Sequence, residues 1–147
     1  MEKPINKQTL FDAVGGLSTL RRVHKIFYDK IYAHPWIGKF FADHNQEAIE
    51  TRQTQFMAEK MGGDLTYYGK DMKASHSRMY ITPELLALRS ELLGESLQEA
   101  GVPDELAERW LRIDAAFGRQ IVKDSIPSFY AWSWTPGKRM IFPKPHV

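Results

Sequence analysis

The sequence predicts an all-α fold, on three observations. Apolar residues recur at helical spacing along most of the chain, alternating strand patterns are almost absent, and capping or stop signals bracket the helical stretches. Leu20, Val23, Phe27 and Ile31 step by 3, 4 and 4, one stripe of a helix from about Ser18 to Ala33. Pro35 ends it, because the residue before a proline is pushed out of helical geometry. A short LFDAVGG turn precedes it. Ile49, Gln53, Phe56 and Met57 share a face of a second helix, about Gln46 to Met61, which Gly62-Gly63 can end with left-handed backbone. Thr82-Pro83-Glu84 then reads as N-cap, first-turn proline and an acid suited to the helix dipole. The helix it opens carries Leu85, Leu88 and Leu92, with Leu86, Leu93 and Leu97 alongside, and ends at Gly101. The last helix starts at Pro103 and carries Leu106, Trp110, Ile113, Phe117 and Ile121.

Two stretches stand outside this pattern. GGDLTYYGKDMKASHSRMYI, between Gly62 and Thr82, holds three glycines and a short helical stretch, about Lys70 to Ser77. Its aromatic and apolar content predicts that something orders it, since long loose segments inside a domain are functional or disordered. The segment from Ser125 holds four of the eight prolines and two of the four tryptophans. Prolines that dense preclude a helix. Residues 1–124 therefore form the helical domain and 125–147 an irregular extension. Its rings (Phe129, Tyr130, Trp132, Trp134, Phe142) are expected to order it against its own helices or against a dimer mate.

Composition narrows the function. A chain of 147 residues, 43% hydrophobic and 26% charged, is one globular domain with a sizeable core. Twenty basic against 18 acidic residues give +2, with no basic block to suggest nucleic acid. No apolar run approaches the ~20 residues of a membrane span, and MEKPINKQTL lacks the apolar core of a signal peptide, so a cytoplasmic address is expected. The absence of cysteine excludes disulfides, thiolate metal sites and a cysteine nucleophile. His24, His34, His44, His76 and His146 make no HExxH or His-x-x-x-His pair. No GxSxG, phosphate loop or GxGxxG is present. On pattern alone, His76 is one more histidine that is better explained by structure or solvation than by ligation.

The run IFYDKIYAHPWIGKFFADHN, then ETRQTQFMAEKMGG, then YYGKDMKASH, closely resembles the truncated haemoglobins, small haem globins of bacteria, protozoa and plants. The match is ordered: Phe27-Tyr28, Phe40-Phe41 thirteen residues on, Gln53 on the next helix, Gly-Gly, then Met72, Lys73 and His76 in a Met-Lys-x-x-His run. The AGVP turn, Ala100 to Pro103, also fits, and the resemblance covers about Leu10 to Lys123. It implies a two-over-two helical sandwich around a b-type haem with His76 as iron ligand, as globin iron is held by a proximal histidine. The cofactor would then order the loose segment.

The resemblance also assigns the surroundings. Tyr28 and Gln53, the pair typical of group I, would donate hydrogen bonds to the bound gas. Ile49 stands where myoglobin-like globins have a distal histidine, which argues against two histidines on the iron. Phe41 would pack on the porphyrin edge, with Phe27, Phe56, Met57 and Met72 around the cofactor. Arg52, at the rim, would pair with a haem propionate, and Tyr67, Lys73 and Arg78 are further propionate candidates. Arg89 departs from the family, which has an apolar haem-facing residue there; the helix is rotated, or the arginine points away, or it reaches a propionate. The extension is expected to stay outside the pocket. The implied function is reversible binding of dioxygen and other diatomic ligands, used in nitric oxide dioxygenation with a reductase partner, by a monomer or homodimer. Alternatives are an oxygen store or sensor, or a peroxidase-like haem protein, which would favour a distal base or charged residue over Ile49.

Overall fold

Thr9 opens the first helix, its hydroxyl oxygen accepting from the Asp12 N–H at 3.1 Å. The computed structural model describes residues 8–67, 69, 76, 79–123 and 140–145. What the sequence reads as a turn is the short helix α1 (Leu10–Val14), and the next, α2 (Gly16–Ala33), follows at once. Gly15 makes this possible: its φ of 111° is left-handed, so one residue closes α1 and opens α2. His34 ends α2 in extended geometry before Pro35, and a 3-10 turn at Ile37–Phe41 follows. Asn45 caps α3 (Gln46–Lys60) by accepting from the Ala48 N–H at 2.9 Å. Thr82 does the same for α4 (Pro83–Glu99), accepting from the Leu85 N–H at 3.1 Å. The last helix, α5 (Asp104–Gly118), ends before Ile121, which lies in the following turn.

Helix α2 packs on α3 and α4, α4 packs on α5, and α1 crosses to touch α2 and α5. This is the two-over-two sandwich. Its core is the predicted stripe of α2, with Leu20, Val23, Phe27 and Ile31 at most 1% exposed, against Leu93 of α4 and Trp110 of α5, equally buried. Each such side chain contributes about 1.5–3 kcal/mol on leaving water. Among the described residues no helix is long and apolar enough to cross a membrane.

The end of the extension returns to this body. The Tyr80 N–H donates to the Met140 carbonyl at 2.9 Å, within a parallel bridge between Met79 and Met140. The Trp36 indole N–H donates to the Phe142 carbonyl at 2.6 Å, and the Phe142 ring meets Phe40 edge-on at 4.9 Å. Residues 140–145 thus lie on their own chain. Phe129, Tyr130, Trp132 and Trp134 lie outside the described residues, as does the short helix expected near Lys70 to Ser77, His76 apart.

Candidate functional site

Adjacent residues on a helix point about 100° apart, so Phe27 enters the core while Tyr28 turns toward a cavity between the helices. That cavity measures about 430 Å³, within the ~300–1,000 Å³ usual for small-molecule sites. From α3, Ile49, Arg52, Gln53 and Phe56 border it one turn after another. Phe41 comes from the 3-10 turn, and Tyr67 and His76 from the segment before α4. The helices thus bring together Tyr28, Gln53 and His76 with a mainly aromatic and aliphatic wall.

Two residues expected at the cofactor stand behind this wall. Met57 is fully buried in the core cluster and does not border the cavity. Phe27 does not border it either; it backs Tyr28, ring centroids 4.9 Å apart. Met72, Lys73 and Arg78 lie outside the described residues. Arg52 is exposed at the rim, as is His44, which the sequence reading missed.

The main surprise is charge. Arg89 borders the cavity and pairs with Asp114 of α5, which also borders it; their side chains are 22% and 6% exposed. The guanidinium carbon lies 5.1 Å from the centre of the Phe27 ring, a cation–π contact. Its charge also acts on the Tyr28 phenol. Arg89 does not point away: it faces the cavity and is held by a carboxylate of the chain. Burial opposes its charge, but Asp114 more than offsets this and Arg89 ends above its ordinary pKa. Burial pushes the Tyr28 phenol up to about 12, against a smaller downward pull from Arg89, so the hydroxyl keeps its proton.

The pair has a sequence signal. Arg89 lies four residues after Leu85 and three before Leu92, and Asp114 four after Trp110 and three before Phe117. Each is a charge on the apolar stripe of its helix, an anomaly visible in the sequence, although the period does not say that the two helices meet.

Two further buried groups support the walls. His24 lies behind Tyr28, ring centroids 6.4 Å apart, with its Nδ1 2.8 Å from the Thr54 hydroxyl. Burial, helped by the Arg89 charge, pulls its pKa down to about 3, so it is neutral. Lys123, 1% exposed, donates from Nζ to the carbonyls of His76 and Met79, both at 2.8 Å. It ties the backbone at His76 to the end of the helical body. Met140 also borders the cavity, so the extension does not stay wholly clear of it, as the sequence reading expected. The reason is its pairing with Met79, another cavity residue.

These residues fit a flat, mostly apolar prosthetic group. Phe41, Phe56 and Phe117 offer ring faces and edges, His76 an imidazole, and exposed Arg52 a cation at the rim for acidic substituents. A helical sandwich around such a cavity is a globin-type site. A family model described as bacterial-like globin matches residues 9–122. A group 1 truncated hemoglobin of Mycolicibacterium paratuberculosis is 30% identical over 113 residues, 77% of this chain and 83% of its own length. One from Tetrahymena pyriformis is 30% identical over 104 residues, 71% and 84% of the two chains. The crystal structure of the Tetrahymena pyriformis truncated hemoglobin in its Fe(III) form superposes with a TM-score of 0.74 at 24% identity, covering 80% of this chain and all of that one. A group II truncated hemoglobin of Bacillus anthracis gives the same TM-score at 24% identity over 84% of this chain and 95% of that one, a likeness of fold. The chain belongs to the bacterial-like globin family, with truncated haemoglobins as its relatives. A haem cofactor and the binding of dioxygen and other diatomic ligands follow from that membership.

Proposed function

We propose that the chain holds a b-type haem through His76 and uses dioxygen to oxidise nitric oxide to nitrate, with a reductase partner returning one electron per turnover. The balance is one nitric oxide, one dioxygen and one electron to one nitrate. When bound, haem supplies the gas-binding position and the one-electron redox change. The observation that carries the reading is the cavity itself, where Tyr28, Gln53 and His76 border one space walled by Phe41, Ile49 and Phe56.

In this reading the His76 imidazole would hold the haem iron, on backbone held by Lys123. Tyr28 donates its phenol proton, and Gln53 its amide, to the gas as negative charge develops there. Ile49 and Phe41 exclude water. Arg52 would pair with a propionate, Tyr67, Lys73 and Arg78 being further candidates for the same role, and Met72 would stand near the cofactor. The reading includes a cytoplasmic location, where electron donors for a reductase reside. One observation favours a peroxidase-like reading as the alternative: Arg89 and Asp114 put charge in the cavity wall.

Substituting His76 with glycine is expected to abolish the iron–histidine stretch, while His44→Ala, at the same cavity, keeps it. A normal stretch in the His76 variant would overturn the ligation. Tyr28→Phe is expected to speed dioxygen dissociation roughly tenfold, one hydrogen bond of about 1.4 kcal/mol. Multiturnover assays with nitric oxide and with peroxide, under the same reductant, separate the two activities.

A further inference from the structure

A charged pair in a cavity wall needs explaining, because well-packed apolar residues would serve the fold at least as well. Arg89 and Asp114 stand on the apolar stripes of α4 and α5, where Leu86 and Phe117 close the wall around them. Asp114 occupies part of the guanidinium, whose charge also reaches the Tyr28 phenol. A guanidinium has five N–H donors in a rigid fork. It therefore has donors beyond the one that Asp114 takes while standing at the cavity surface. The Tyr28 phenol keeps its proton and borders the same space, so it is available as a second donor. The Gln53 amide borders the same space.

We infer that the cavity contains a subsite for a small monovalent anion of the nitrite or azide type, with Arg89 as its cationic donor and Tyr28 as a second donor. The inference rests on the haem reading only for what holds the other end of the anion. Neutral gases gain little from a guanidinium, whereas an anion gains a charge-assisted hydrogen bond in a site shielded from water. Asp114 opposes the anion: it anchors Arg89 but cancels part of its field. The two members of the pair therefore act on anion affinity with opposite signs, which a merely structural pair does not do.

The test titrates azide and nitrite into the ferric holoprotein, with carbon monoxide on the ferrous form as the neutral control. Arg89→Leu is expected to weaken both anions about ten- to a hundredfold, with carbon monoxide affinity unchanged. Arg89→Lys should retain part of the affinity. Asp114→Asn should bind both anions more tightly than the wild type. Because Arg89→Leu leaves a buried carboxylate alone, the double variant Arg89→Leu/Asp114→Leu is the check that folds without an unpaired charge, and it should match the weak anion binding. Equal affinities in the wild type and the double variant, or a loss in both Arg89→Leu and Asp114→Asn, overturn the inference. A second readout is the melting temperature of the haem-free protein in nitrite against chloride, which should rise for the wild type and not for the double variant. A chain that takes up no haem overturns the functional reading alone, and the melting series then decides the anion site.

Discussion

His24 is a neutral imidazole in a dry place, and that makes the fold acid-sensitive. Its neighbours are the Thr54 hydroxyl, the Tyr28 and Trp110 rings and the Arg89 charge, which offers it no counter-ion. Its pKa is about 3 when folded and 6.5 when free, so between these values the unfolded chain binds the extra proton. Stability is complete above 6.5 and falls as pH drops through that window, by about 1.4 kcal/mol per pH unit. Urea unfolding at pH 7, 6 and 5 should show this slope, and His24→Leu should flatten it. A slope unchanged in the variant assigns the acid sensitivity elsewhere. At this scale Tyr28, Gln53 and His76 were legible because each sits at a fixed spacing in an ordered motif. Arg89 was legible only as an anomaly, since its partner lies on another helix and the pairing is a fact of packing. Met57 shares a broad stripe with Ile49, Gln53 and Phe56 but lies about 100° round the helix from Phe56, on the core side.

The helices were legible from caps and periods, and the misses have local causes. Helix α1 is too short, at five residues, to display a period. Helix α5 stops at Gly118, where a Cβ would lie 2.7 Å from Leu86 Cδ1; the two helices meet there at the cavity. Gly118→Ala would therefore push Leu86 into the space between them. The return of the extension was not legible, because its hydrogen bonds to Trp36 and Tyr80 join distant parts of the chain. Removing residues 140–147 deletes the Phe142–Phe40 contact and both hydrogen bonds. The expected loss is about 2 kcal/mol, or roughly 4–8 °C in Tm. Because Met140 borders the cavity, the haem absorption spectrum should shift as well, and an unchanged Tm would show the segment to be a passive tether.

For the molecule as a whole, cofactor and fold are linked through the cavity. A ligand bound only by the native state stabilises it in proportion to the logarithm of its concentration over Kd, about 4 kcal/mol at a thousandfold excess. Haem removal is therefore expected to lower Tm by several degrees, with recovery on titrating haem back. Differential scanning calorimetry of both forms checks this, and coincident melts would mean that the cavity does not depend on its occupant. The cavity's existence was legible from the loose, ring-bearing segment that needed a reason to be ordered. Its charged wall was not, because composition and period do not say which helices touch. The bridge between Met79 and Met140 bears on biosynthesis. The residues of the five described helices are all synthesised before residue 140, so the helical body can begin to collapse while that side of the cavity still lacks Met140. Collapse of the helices and closure of that side of the cavity are therefore separable steps, the second waiting on a contact between distant parts of the chain.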